Sequence, residues 1–200
     1  MMKSKEELRQ ELKKWYAELP EEENHRRSEI LRHRILKEEE FRKANTIFCY
    51  VSMKKEPDTR RLMTDILTAG KRLLVPRCIG EGIMEAVEIR STDELIPGKY
   101  GIPEPAGESQ AADPGSIDLM IIPALAVNKK GYRIGKGKGY YDRFAVTTKA
   151  VRWVLSFREI EFAEEIFDAA GEKVFVEPDQ ETAEKYCPLI SVNPLTAGAE

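Results

Sequence analysis

The chain has 200 residues, 42% hydrophobic and 34% charged, with a formal net charge of −3. That length suits one domain with a packed core, and the slightly acidic balance argues against a broad nucleic-acid surface, which needs many cations to neutralise phosphates. No apolar run approaches the roughly 18 residues of a membrane span.

Met1–Glu7 has no apolar stretch of the kind a secretory leader carries. Cys49, Cys78 and Cys187 are odd in number and widely spaced, which fits buried or inert thiols better than a zinc site or a disulfide framework. A cytoplasmic monomer is the expectation.

Residues 4–18 and 21–43 read as two charged helices parted at Leu19-Pro20, with Leu8, Leu12, Trp15 and Leu19 at helical spacing. Thr46–Val51 is short, apolar and β-prone, a buried strand. Pro57-Asp58-Thr59 supplies a cap for a helix through Ala69, which Gly70 ends. Arg72–Pro76 and the alternating Met84–Ile89 are the next strands. Residues 91–116, rich in Pro, Gly and Ser, form a long connection with one turn of helix. Asp118–Pro123 is a central strand, Tyr140–Thr148 a helix, Ala150–Phe157 a strand, Arg158–Phe167 a helix and Lys173–Glu177 a last strand. Strands alternating with helices predict an α/β fold of three layers, α/β/α, with a mainly parallel sheet and amino-terminal helices. Residues 1–179 form the single domain, and 180–200 an irregular tail.

Between the strand at 118–123 and the helix at 140 lies Gly131-Tyr-Arg-Ile-Gly-Lys-Gly-Lys-Gly-Tyr-Tyr-Asp-Arg-Phe144. Gly135, Gly137 and Gly139 let backbone amides approach an anion, and Arg133, Lys136 and Lys138 neutralise it. From Lys129 to Arg143 there are six Lys or Arg residues and one acid. Basic residues concentrated on a slightly acidic chain point to one localised anion, a phosphate chain, held at a helix amino terminus. The spacing fits neither the dinucleotide fingerprint, because Tyr140 and Tyr141 follow the third glycine, nor the P-loop, whose Ser or Thr is replaced by Gly137. A solvated surface loop is the plain alternative. His25 and His33 lack a third ligand for a metal, Trp15 and Trp153 read as core, and Glu21–Glu23 and Glu38–Glu40 read as solvated helix faces.

Residues 118–144, above all Gly-Lys-Gly-Lys-Gly-Tyr-Tyr-Asp, resemble the signature of the 5-formyltetrahydrofolate cyclo-ligase (methenyltetrahydrofolate synthetase) family, and the resemblance runs over about residues 3–178. It implies that Lys5, Arg9, Arg133, Ile134, Gly135, Lys136, Gly137, Lys138, Gly139, Tyr140 and Tyr141 bind the nucleotide, with Lys138 and Arg133 catalytic. It further implies that Val51, Glu56, Tyr100 and Tyr140 line the folate pocket and that Asp142 and Asp168 hold magnesium. Glu56 also stands just beyond a strand's carboxyl end, where open α/β sheets bind ligands. The family has Gly-(Leu or Val)-Ala-Phe-Asp after the strand proline, where this chain has Ala124-Leu-Ala-Val127-Asn128, and Glu172 stands where the family has a second Asp.

The resemblance implies a reaction of 5-formyltetrahydrofolate with ATP, giving 5,10-methenyltetrahydrofolate, ADP and phosphate. ATP is the co-substrate and Mg2+ the cofactor, with no nucleic acid or membrane partner. Such chemistry asks for positioning and charge neutralisation more than for a protein nucleophile. Two other readings stay open: a noncatalytic nucleotide- or folate-binding homologue, suggested by Ala124, Val127 and Asn128, and an RNA-binding module stacking bases on Tyr140 and Tyr141.

Overall fold

A computed structural model describes residues 5–98, 101–106, 109–128, 133–158 and 173–176, with Lys5 and the last four given by backbone alone. Three helices open the chain: α1 Lys5–Glu18, α2 Glu21–Ile35 and α3 Glu39–Lys43. The single helix expected over 21–43 is therefore two. At Leu36 to Glu38 the backbone turns, with the amides of Lys37 and Glu38 donating to the carbonyls of Arg34 and Ile35. Glu38 is extended and starts α3, whose buried Phe41 packs into the core. No Gly or Pro marks that break, so the local sequence carries no stop signal for it.

Strand β1 Thr46–Cys49 is buried along its whole length, as the apolar run predicted. Helix α4 Arg60–Thr68 follows, then β2 Arg72–Gly80 and β3 Ile83–Ile89. Gly70 closes α4 at φ +72°, the left-handed conformation in which glycine carries no Cβ penalty. The expected threonine cap differs: the Thr59 hydroxyl donates to the Tyr50 carbonyl and accepts from the Ser52 amide, while the Asp58 carboxylate takes the Arg60 amide. Strand β2 runs four residues beyond Pro76. Its pairing with β1 ends at Leu74, so the proline interrupts no ladder on that side.

The long connection holds more order than one helical turn. It contains the hairpin of β4 Leu95–Pro97 and β5 Pro103–Pro105, and 3-10 turns at Thr92–Glu94 and Pro114–Ser116. Then come β6 Leu119–Pro123, the small ribbon of β7 Ala126–Val127 and β8 Arg133–Ile134, helix α5 Tyr140–Ala145, β9 Val151–Ser156 and β10 Lys173–Val176. Helix α5 is shorter than expected, ending at Ala145 with Val146 as its cap. The helix expected over 158–167 lies outside the described residues apart from Arg158, as do the tail at 180–200 and Cys187.

The six-stranded sheet has the order β10-β9-β6-β1-β2-β3. Four of its five pairings are parallel and only β2–β3 is antiparallel, so the mainly parallel sheet is borne out. Alternate residues of each central strand feed two separate cores. Ile47, Cys49, Leu73, Val75, Leu119, Ile121, Trp153 and Leu155 meet α1 to α4 on one face. Phe48, Leu74, Met120, Ile122 and Val154 meet Phe144 and Ala145 of α5 on the other. The Phe144 ring stacks on Phe48 at 5.1 Å between centroids, which fixes the last turn of α5 against the sheet.

Strand order also fixes where a ligand can enter. From β1 the chain adds β2 and then β3 on one side, crosses back to add β6 on the other side of β1, and continues outward to β9. Connections after β1 and after β6 therefore leave in opposite directions and open a crevice at the carboxyl ends of these two strands.

Candidate active site

The segment after β1 and the segment after β6 carry most of the residues singled out in the sequence. Beyond β1, Val51 is buried, and Glu56 is held in a tight loop by its own carboxylate, which accepts the Met53 amide at 2.7 Å. That loop is fastened to the α1–α2 junction: the Asn24 side chain donates to the Glu56 carbonyl at 3.0 Å, and the Lys55 ammonium donates to the Leu19 carbonyl. Lys55 takes φ +74°, the one positive φ among the described non-glycine residues. A single-residue kink of this kind turns the chain so that Glu56 faces back across the crevice.

Beyond β6, the ribbon β7–β8 delivers the chain to Gly135 and α5. Gly137 and Gly139 both have positive φ, at +98° and +67°, so the loop makes two left-handed bends that other residues adopt at a cost. Cations from several elements gather around it. The Arg9 guanidinium reaches from α1 and donates through Nε to the Gly135 carbonyl at 3.1 Å, 126 residues away in sequence. The Arg133 side chain, 5% exposed, pairs with Asp142 in the first turn of α5. Lys136 meets Glu56 across the crevice, Nζ to Oε1 2.5 Å. Lys138 is exposed at the loop's edge.

The expected nucleotide and folate residues thus meet at one point, the Lys136–Glu56 pair. Ile134 is fully buried beneath the loop, and the Leu125 amide donates to its carbonyl at 2.7 Å. Tyr140 donates its hydroxyl to the Gly80 carbonyl at 3.2 Å, which ties α5 to the β2–β3 turn. Tyr141 packs against both cores, edge-on to Phe48, and burial pushes its phenol well above the ordinary range. Tyr100 and Asp168 lie outside the described residues, as does the side chain of Lys5.

Ala124, Val127 and Asn128 are all buried. Ala124 keeps ordinary backbone geometry, and its amide donates to the Leu155 carbonyl at 3.1 Å. The glycine usual in the resembled family is therefore not required by the backbone found here. Among the described residues no group of three or more His, Cys, Asp or Glu is arranged to hold a metal. Asp142 is half exposed with one oxygen on Arg133, so it can offer a cation one carboxylate beside the loop.

Sequence reasoning missed Arg143. Its Nε donates to the Gly82 carbonyl at 2.7 Å and its Nη2 donates to the Lys138 carbonyl. Only the glycine at position 82, set in the turn between two strands, hinted at a close approach. The other residues behave more plainly. Cys49 is buried, and burial pushes its thiol far above the reactive range. Cys78 is half-buried, and the His33 ring stays on its own helix, 2.7 Å from the Glu29 carbonyl. Trp153 is fully buried; the guanidinium groups of Arg27 and Arg158 lie over the Trp15 ring, 5.9 and 4.9 Å from its centroid.

Fold and site define an α/β protein that presents a glycine-rich, cationic cradle at the topological switch of a mainly parallel sheet. Its sequence matches the 5-formyltetrahydrofolate cyclo-ligase family over residues 1–159. A mouse 5-formyltetrahydrofolate cyclo-ligase is 33% identical over 149 residues, 70% of this chain and 73% of that protein. A Schizosaccharomyces pombe protein named "Probable 5-formyltetrahydrofolate cyclo-ligase" is 37% identical over 120 residues, 58% of each chain. The NMR structure of Aquifex aeolicus 5,10-methenyltetrahydrofolate synthetase superposes with a TM-score of 0.76 at 28% identity, covering 86% of this chain and 89% of that one. The chain belongs to the 5-formyltetrahydrofolate cyclo-ligase family.

Proposed function

We propose that this protein converts 5-formyltetrahydrofolate and ATP to 5,10-methenyltetrahydrofolate, ADP and phosphate. The observation that carries the reading is the 2.5 Å contact between Lys136 of the glycine loop and Glu56 beyond β1, because it joins a phosphate-binding element to an acid suited to a polar ring system. The two co-substrates would meet along that line. A formamide oxygen is a poor leaving group, so the γ-phosphoryl group is transferred to it, breaking the bond to ADP and forming an O–P bond. The N10 lone pair then attacks the formyl carbon. The C–O bond to phosphate breaks, N10 loses its proton, and the ring closes.

Each protein group has a limited task in this scheme. Lys138, Lys136 and Arg133 neutralise charge as the phosphoryl group moves, with Lys5 and Arg9 supporting the phosphate chain. The amides of the loop orient that chain. Glu56 and Tyr140 border the folate, with Val51 and Tyr100. Magnesium, when bound, would add positive charge to the phosphates, and Asp142 is suited to be one of its ligands, with Asp168 as the proposed second. We further propose a cytoplasmic monomer. No helix among the described residues is long and apolar enough to cross a membrane.

The test is methenyl-folate formation, followed by ultraviolet absorbance with purified protein, 5-formyltetrahydrofolate, ATP and magnesium. ATP-dependent product that vanishes on chelation is the expected result. Folded protein that binds both ligands without turnover would replace the reading with a noncatalytic homologue. Salt-sensitive RNA binding in place of ATP binding would replace it with the stacking module.

A further inference from the structure

We infer that Arg143 is a positioning residue that holds the glycine loop in an anion-accepting shape, and that Gly82 exists to admit it; the inference rests on the cyclo-ligase reading. Two arginines from different elements each capture a carbonyl of this loop. Arg9 takes that of Gly135, and Arg143 takes that of Lys138. A planar trans peptide points its carbonyl and the following N–H in opposite directions, and the described chain has no cis peptide. Holding the Gly135 carbonyl therefore aims the Lys136 amide away from Arg9. Holding the Lys138 carbonyl aims the Gly139 amide away from Arg143. With both carbonyls turned aside, amides rather than oxygens face an incoming anion, as a phosphate cradle requires.

The anchor of Arg143 is as specific as its grip. Its Nε donates to the Gly82 carbonyl at 2.7 Å, and the neighbouring Tyr140 hydroxyl donates to the Gly80 carbonyl at 3.2 Å. The first turn of α5 is thereby stapled to the β2–β3 turn. A Cβ at Gly82 would collide with Nη2 of Arg143, and a Cβ at Gly139 would stand 2.8 Å from Nη1. Both glycines also have positive φ, so the guanidinium lies in a slot made by two residues without side chains. The guanidinium serves the two carbonyls through separate nitrogens, Nε and Nη2, held in one planar fork, whereas a lysine in its place brings a single nitrogen on a flexible stem. Arg143 is itself exposed, so its loss leaves both cores packed.

The experiment compares Arg143→Gln, Arg143→Lys, Gly82→Ala and the double variant Arg143→Gln/Gly82→Ala with the wild type. Read-outs are the KM for each co-substrate, calorimetric ATP affinity and melting temperature. Arg143→Gln should raise the KM and Kd for ATP about tenfold. The KM for 5-formyltetrahydrofolate should stay within about twofold and melting should change little. Gly82→Ala should reproduce the selective loss of ATP affinity, with a lower melting temperature of its own because φ +69° strains any residue but glycine. Arg143→Lys should fall between, and the double variant should lose no more ATP affinity than either single one, since both remove the same contact. Wild-type ATP affinity in Arg143→Gln, equal losses for both co-substrates with lowered melting, or additive losses would overturn the inference. A wild type that binds ATP without turnover defeats the catalytic reading alone, and ATP affinity then decides the role of Arg143. A wild type that binds no ATP defeats both.

Discussion

Two ion pairs decide what single substitutions will do at this site. Arg133 is nearly inaccessible and Asp142 half exposed, so the pair straddles the boundary between core and crevice. Replacing Asp142 by Asn keeps the shape and removes the charge facing a buried guanidinium. Such a loss costs about 2 kcal/mol, less than a fully buried pair because one partner is wet. Urea denaturation should register it, and turnover should fall. Whether Asp142 also holds the metal is read separately: the magnesium concentration at half-maximal rate rises in Asp142→Asn if it does, and stays put if the residue serves Arg133 alone. Lys136 and Glu56 make the second pair. Glu56→Gln should raise the KM for the folate about tenfold while ATP binding holds or improves, because Lys136 is released toward phosphate. An unchanged folate KM would take Glu56 out of the pocket. Lys138 is exposed at the edge of the loop, so Lys138→Ala should lower kcat about a hundredfold with little change in stability.

At the scale of elements, helix α2 shows how local charge and tertiary packing divide the work. Glu23 accepts from Arg26 and from the nearly buried Arg27, and these hydrogen bonds pull its carboxyl down to about 2 from 4.5. A lowered folded value means stability that is complete above pH ~4.5 and lost as the pH falls toward 2. Glu23→Gln should therefore cost about 1 kcal/mol at pH 7, a figure kept small because the carboxylate is partly solvated. The gap from wild type should close near pH 2; a gap of equal size at both pH values would assign the effect to something other than this charge. The sequence suggested only solvated acids at Glu21–Glu23, although Arg26 and Arg27 follow Glu23 at the spacing where helix side chains pair. What tertiary packing adds is the place of Arg27 over Trp15 of α1. The same distinction explains which elements were legible. β1, β6 and β9 were visible because their β-prone, apolar runs bury both faces. The break before α3 and the β4–β5 hairpin were not, because Phe41 and the prolines of that hairpin take their conformation from tertiary contacts rather than from local stop signals. Thr59 looked like a cap and became a tie to Tyr50, a choice only the returning strand could impose. In the site, the glycine loop, Arg9 and Glu56 were readable from residue type and resemblance. Arg143 was not, since its meaning depends on a turn 61 residues away.

Viewed whole, the molecule brings four remote stretches to one crevice: Arg9 from α1, Glu56 after β1, the β2–β3 turn and the glycine loop before α5. They meet because the strand order reverses between β1 and β6. Single hydrogen bonds already tie them together, and the Lys136–Glu56 pair spans the gap itself. A phosphate chain held by Arg9, Lys136 and the loop amides would cross-link these stretches and stabilise the folded state alone. Mass action gives about 2.7 kcal/mol when ATP is present at a hundred times its Kd. For a chain of this size that corresponds to a rise in melting temperature of about 5–10 °C. The shift should appear with ATP and magnesium before any folate is added, because the phosphate cradle is built from protein groups already in contact. Adding 5-formyltetrahydrofolate should extend it by an amount that depends on Glu56. A chain whose melting responds to the folate but not to ATP would mean that the cationic loop serves some other anion. One that responds to ATP equally well in Arg143→Gln would mean that the loop holds its shape without the staple to the β2–β3 turn.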